Sequence, residues 1–101
     1  MRAGQTLTRS LNFATAEEEY QYELKRNDSL FALLEFAIVE KNPGGSVVER
    51  IHQNRDKARG LRRAAEGMAK NGDHPAAIAE LNTSTKVLLQ AIRMSGIFVP
   101  D

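Results

Sequence analysis

The chain of 101 residues contains no cysteine and no tryptophan, and proline occurs only three times. Without cysteine there are no disulfides and no thiolate-held zinc or iron–sulfur centres, although the compartment stays open on that ground. No run of apolar residues approaches the roughly 20 needed to cross a bilayer. The opening stretch MRAGQTLTRSLNF lacks the continuous apolar segment of a secretory signal. It therefore predicts a cytoplasmic protein with no membrane insertion. Charge of either sign is also missing in excess. Fourteen Lys and Arg against thirteen Asp and Glu leave a formal net charge of +1, so no global field draws the chain to nucleic acid or an anionic membrane. Any charge-based recognition has to come from a local patch.

What is present is helical periodicity. Thr15-Ala16-Glu17-Glu18 reads as a capping box, with Glu17, Glu18 and Glu19 at the positive end of the helix dipole. Tyr20, Leu24, Phe31, Leu34 and Ile38 follow at three- and four-residue steps, and Asn42-Pro43-Gly44-Gly45 breaks the pattern. Ser46-Val47-Val48-Glu49 reads as a second capping box. Behind it run Val47, Ile51, Ala58, Leu61, Ala65 and Met68, interrupted by Asn54. Gly72 is placed to close that helix in the left-handed conformation. Asp73 or His74 then caps a third helix, with Pro75 in its first turn. Ile78, Leu81, Thr85, Leu88 and Ile92 share its apolar face, flanked by Ala77, Ser84 and Ala91.

Three long helices joined by short turns predict an all-α, up-down-up antiparallel bundle. Its expected helices are 15–41, 46–71 and 74–95, in one domain from 15 to 101, behind an N-terminal extension, 1–14. No segment alternates like a strand, although Ile97-Phe98-Val99 is short and β-prone.

Several features are candidates for function. Arg50, Arg55, Lys57, Arg59, Arg62 and Arg63 crowd the second helix against one acid, Asp56. Arg55, Arg59, Arg62 and Arg63, with His52 among them, are predicted opposite the apolar stripe, where they could bind an anion such as a phosphate backbone. The competing reading is a solvated face complementing the acids of the first helix, among them Glu23 and Asp28. No aromatic residue interleaves to stack on bases. Gly60, Ala64, Gly67 and Asn71 form a row of small residues expected to receive the first helix, with Gly60 near Asn27. On the first helix a second stripe, Tyr22, Leu30, Leu33 and Ala37 with Phe36 further round, exceeds what a three-helix core needs. It predicts a further partner: the ends of the chain or a second subunit.

Chemistry finds few residues. Glu49, His52 and Asp56 share a helical face without a second ligand-bearing segment, so no metal is expected. Thr83-Ser84-Thr85 has no histidine nearby in sequence, and no Gly-rich phosphate loop opens a helix. No catalytic residue and no cofactor are assigned. Asn27 and Asn54 fall on core stripes, where a buried polar residue fixes register.

The hairpin Ala64–Leu89 resembles one repeat of the tetratricopeptide class. Ala65 and Met68 stand at its small and large positions, Gly72 at its turn, and Ala77, Leu81 and Ser84 follow in the small–bulky–small order. It is similar also to microtubule-interacting and trafficking domains, three-helix bundles that bind partner helices. The resemblance covers about a quarter of the chain. There is no second copy of the repeat, and the third helix continues through Leu89, where the repeat pattern ends in proline. The resemblance implies a helix-binding groove and names no ligand. The reading is a non-enzymatic helical protein–protein interaction or assembly module, self-associating or docking a partner helix through Tyr22, Leu30, Leu33, Phe36 and Ala37. The alternative is a small nucleic-acid or polyanion-binding domain using Arg55, Arg59, Arg62 and Arg63.

Overall fold

The computed structural model describes residues 13–97, and they form a three-helix bundle. Helix α1 spans Ala16–Lys41, α2 Gly45–Lys70 and α3 His74–Met94, with no strand among the described residues. Residues 1–12, most of the expected N-terminal extension, and Phe98 and Val99 of the β-prone end lie outside the described residues.

Local chemistry accounts for most helix ends. Thr15 caps α1 in extended conformation, its Oγ1 accepting the Glu18 N–H at 3.1 Å. The Glu18 carboxylate reaches back to the Ala14 N–H at 3.0 Å, one residue before the cap itself. At the other end Asn42 takes the left-handed conformation, φ 45°, and donates its N–H to Ile38 O. The second capping box does not form. Gly44 is the N-cap, without a side-chain hydrogen bond, and Ser46 already lies inside α2. The cause is backbone: Val48 N–H reaches Gly44 O at 2.8 Å, so the helix starts one residue ahead of the serine.

Gly72, φ 83°, and Gly96, φ 105°, close α2 and α3 with the same motif. Asp73 N–H bonds to Met68 O and Gly72 N–H to Ala69 O; Ile97 N–H bonds to Ile92 O and Gly96 N–H to Arg93 O. Asp73 caps α3, accepting the Ala76 N–H at 3.3 Å, and Pro75 occupies its first turn.

The up-down-up path sets α1 and α3 parallel, with α3 in the middle: α1 and α2 each pack along it, and only long side chains bridge the wider gap between their backbones. Tyr20 meets His74 at one end, and Lys41 lies beside Gly96 at the other. The result is a flat body of 44 × 32 × 15 Å with a radius of gyration of 14.9 Å, against about 12–13 Å for a compact chain of this length. A central helix must be apolar on two sides. Ala77, Leu81, Ser84, Thr85, Val87, Leu88, Leu89, Ala91 and Ile92 are all buried on α3, a wider arc than its single sequence stripe.

The core has two parts. Leu30, Leu34, Ile51, Ala58, Val87, Leu88, Leu89, Ala91 and Ile92 form one cluster, with Phe31, Leu33, Ile38, Val47 and Leu61 packed against it. Tyr20, Ala65, Ala77 and Leu81 form the other, near the Gly72 turn. The level between them is polar.

Candidate interaction surfaces

That polar level is built on Asn27, which is 0% exposed on the α3-facing side of α1. Its Nδ2 donates to Ser84 Oγ at 3.1 Å and Thr85 Oγ1 at 3.2 Å, and its Oδ1 accepts from Arg62 Nη1 at 3.1 Å. The Ser84 hydroxyl donates in turn to Ala58 O of α2 at 2.8 Å. One asparagine thus ties all three helices. The sequence pairs Asn27 with Asn54, but Asn54 is only half-buried, and the network's other members are Ser84 and Thr85 of α3 and Arg62 of α2. Ser84 thus bonds across to α2, while Thr83 makes a within-helix bond, to Ala79 O at 3.2 Å. A serine among alanines was the available signal, since a fully buried hydroxyl needs a partner.

The basic face of α2 proves to be the side that meets α1. Arg62 reaches Asp28 as well as Asn27 and pairs with Glu66 at 3.1 Å; Arg55 reaches Glu35 at 2.9 Å. Partial burial works against the Arg62 charge, but hydrogen bonds and charge from Asp28 and Glu66 outweigh it and hold the guanidinium above its usual pKa. Arg59 lies 5.9 Å over the Phe31 ring and 3.8 Å from Asp56. Arg63, also exposed, lines a separate cleft of about 760 Å³ with Glu17, Glu66, Lys70 and His74. Arg55, Arg59 and Arg62 therefore each face a carboxylate within the chain. Among the described residues no group of three His, Asp or Glu side chains comes together to hold a metal ion.

Tyr20 stands where the cleft meets the core, 5% exposed and edge-on to His74 at 5.7 Å. Burial pushes its phenol above the ordinary tyrosine range; Glu66 adds to the rise and Arg62 opposes it. The unfolded chain releases this proton near pH 10, while the folded chain holds it longer. Stability from Tyr20 is therefore intact below about pH 10 and declines as pH climbs through the folded value. Tyr20→Phe is expected to flatten that alkaline decline in melting temperature. A wild-type profile as flat as the variant's would contradict the linkage.

The row of small residues on α2 does not receive α1. Gly60, Ala64, Gly67 and Asn71 are all exposed, and a Cβ built on Gly60 or Gly67 would meet nothing within 4 Å. The reason is that α1 is held by the long side chains of Arg55 and Arg62, on another side of the helix. Gly60→Ala and Gly67→Ala are each expected to stabilise the fold by about 1 kcal/mol, the helix-propensity difference. Urea denaturation measures this, and a loss of stability in either would reveal a contact the row makes.

The second stripe of α1 divides. Leu30 and Ala37 are buried in the core, at 9% and 0% exposure, because the central position of α3 lets it cover a broad arc of α1. Leu33 is half-buried against the same cluster. Tyr22 and Phe36 remain outside, 38% and 57% exposed, with Phe13 beside the Tyr22 ring at 5.5 Å. Val39, 75% exposed, joins them, although the sequence stripe omits it. Tyr22, Leu33 and Phe36 lie on the side of α1 turned away from α2.

Between α1 and α3, Arg26, Asn82, Thr85, Lys86, Leu89, Gln90 and Arg93 line an open cleft of about 530 Å³. Buried Glu23, 1% exposed, lies 3.7 Å from Arg26. Comparison with known protein families, with curated proteins and with solved structures returns no match for this chain.

Proposed function

We propose that this chain is a non-enzymatic helical interaction module that self-associates through the outer side of α1. The observation that carries the reading is the exposure of Phe36 at 57%, on the same side as Tyr22 and half-buried Leu33. An aromatic ring left in water forgoes roughly 25 cal/mol for each Å² of apolar surface that a partner would cover. The flat body adds to the argument, since a thin layer of helices leaves more side-chain area for partners than a round bundle does. The polyanion reading has less support, because Arg55 and Arg62 are engaged by Glu35 and Asp28.

Light scattering across a concentration series tests the assignment. Wild-type chain is expected to dimerise, and Phe36→Glu to shift the midpoint at least tenfold upward in concentration while the helical circular dichroism is unchanged. A wild-type monomer throughout, or a variant that dimerises as well as wild type, would refute it.

A further inference from the structure

On the outer side of α1 the apolar Tyr22, Leu33 and Phe36 share one line of the helix with polar Arg26, Ser29 and Glu40. Tyr22, Arg26, Ser29, Leu33, Phe36 and Glu40 follow one another at steps of four, three, four, three and four. That is the spacing of a helix–helix seam, and it runs about 27 Å along the helix at 1.5 Å per residue. The two charged positions of this series, Arg26 and Glu40, have opposite sign. Arg26, its side chain 42% exposed although it also pairs with buried Glu23 at 3.7 Å, stands near the N-terminal end with Lys25 beside it, and Lys86 of α3 lines the same cleft as Arg26. Exposed Glu40 closes the C-terminal end.

We infer that the occupant of this seam is a second copy of the chain, docked with its α1 antiparallel about a two-fold axis between Ser29 and Leu33. The inference rests on the self-association reading above and adds the partner's orientation and register. Charge order decides the orientation. A parallel pair would set Arg26 against Arg26 and Glu40 against Glu40, like charges in direct opposition. The antiparallel pair sets Arg26 against the Phe36 ring of the second copy, a cation over an exposed aromatic face. Tyr22 meets Glu40 of the second copy, so the phenol can donate to the carboxylate. Ser29 falls opposite Leu33, a short side chain against a long one. Every contact occurs twice, as an isologous interface requires.

The absence of native cysteine makes a cross-linking test clean, because any introduced thiol is unique. In the antiparallel seam, positions 22 of the two copies lie about 27 Å apart, while position 22 lies against position 40. Tyr22→Cys alone and Glu40→Cys alone are therefore expected to give little covalent dimer under mild oxidation. An equilibrated equal mixture of the two is expected to give it as the main product. Arg26→Cys with Phe36→Cys repeats the test one turn inward, and circular dichroism verifies that each variant is folded.

Strong self-cross-linking of the single variants would establish a parallel seam and overturn the inference. A dimer by light scattering with no cross-linking in any combination would move the interface elsewhere, overturning the inference while self-association stands. A monomer by light scattering removes both.

Discussion

Replacing Leu88 by alanine is expected to lower the unfolding free energy by about 2–5 kcal/mol, the range for emptying a fully buried leucine site. Leu88 is 0% exposed and lies in the larger core cluster, where α1 contributes Leu30 and Leu34 and α2 contributes Ile51 and Ala58. Its position on the central helix makes the loss severe. Its cluster draws side chains from both flanking helices, so collapse toward the void from one side opens a gap on the other. Each kcal/mol lowers the melting temperature of a domain of this size by about 4–8 °C. Total stabilities of about 5–15 kcal/mol leave little margin for such a loss. Urea denaturation followed by circular dichroism measures the change, and a loss below about 1 kcal/mol would show that the two flanking helices close over the site.

The second large effect is expected from Asn27→Ala. The truncation removes the hydrogen bonds to Ser84, Thr85 and Arg62 and leaves a void at the level between the two core clusters. Net hydrogen-bond contributions of about 0.5–1.5 kcal/mol each, with desolvated groups left behind, give an expected loss of about 2–4 kcal/mol. Arg62 keeps Asp28 and Glu66, and Ser84 keeps Ala58 O, which sets the upper end. A double-mutant cycle isolates the network. Asn27→Ala and Arg62→Ala are expected to couple by more than about 0.5 kcal/mol, as residues in one network do. Additive losses would mean that Asn27 acts through volume alone.

These two residues show how far the sequence reaches. Leu88 and Asn27 were both legible as core positions, because helical periodicity places them on apolar stripes whatever the neighbour is. What Asn27 bonds to was not legible. Ser84 lies 57 positions away and Arg62 35, and such separations carry no local signal. The basic face shows the same limit. Arg55, Arg59, Arg62 and Arg63 stand out as a patch in the sequence, but which carboxylates answer them depends on how α1 and α2 are set on either side of α3. Glu35 in particular gives no sign of its part in that contact.

By itself the sequence determined the helices, their ends and the order up-down-up, because these follow from short-range effects. Thr15 and Asp73 supply oxygen to unpaired N–H groups, Gly72 and Gly96 accept a left-handed backbone, and three- and four-residue steps define the stripes. Even there Ser46 misled, since a glycine backbone started α2 one residue ahead of it. Only the tertiary structure decided that α3 is the middle of a layer. That placement draws Leu30 and Ala37 into the core, leaves Gly60 and Gly67 in open space, and reduces the outer side of α1 to Tyr22, Leu33 and Phe36. Local patterning fixes which residues avoid water; the choice of neighbour that shields them is a competition among whole helices, settled by packing over the full length of the bundle.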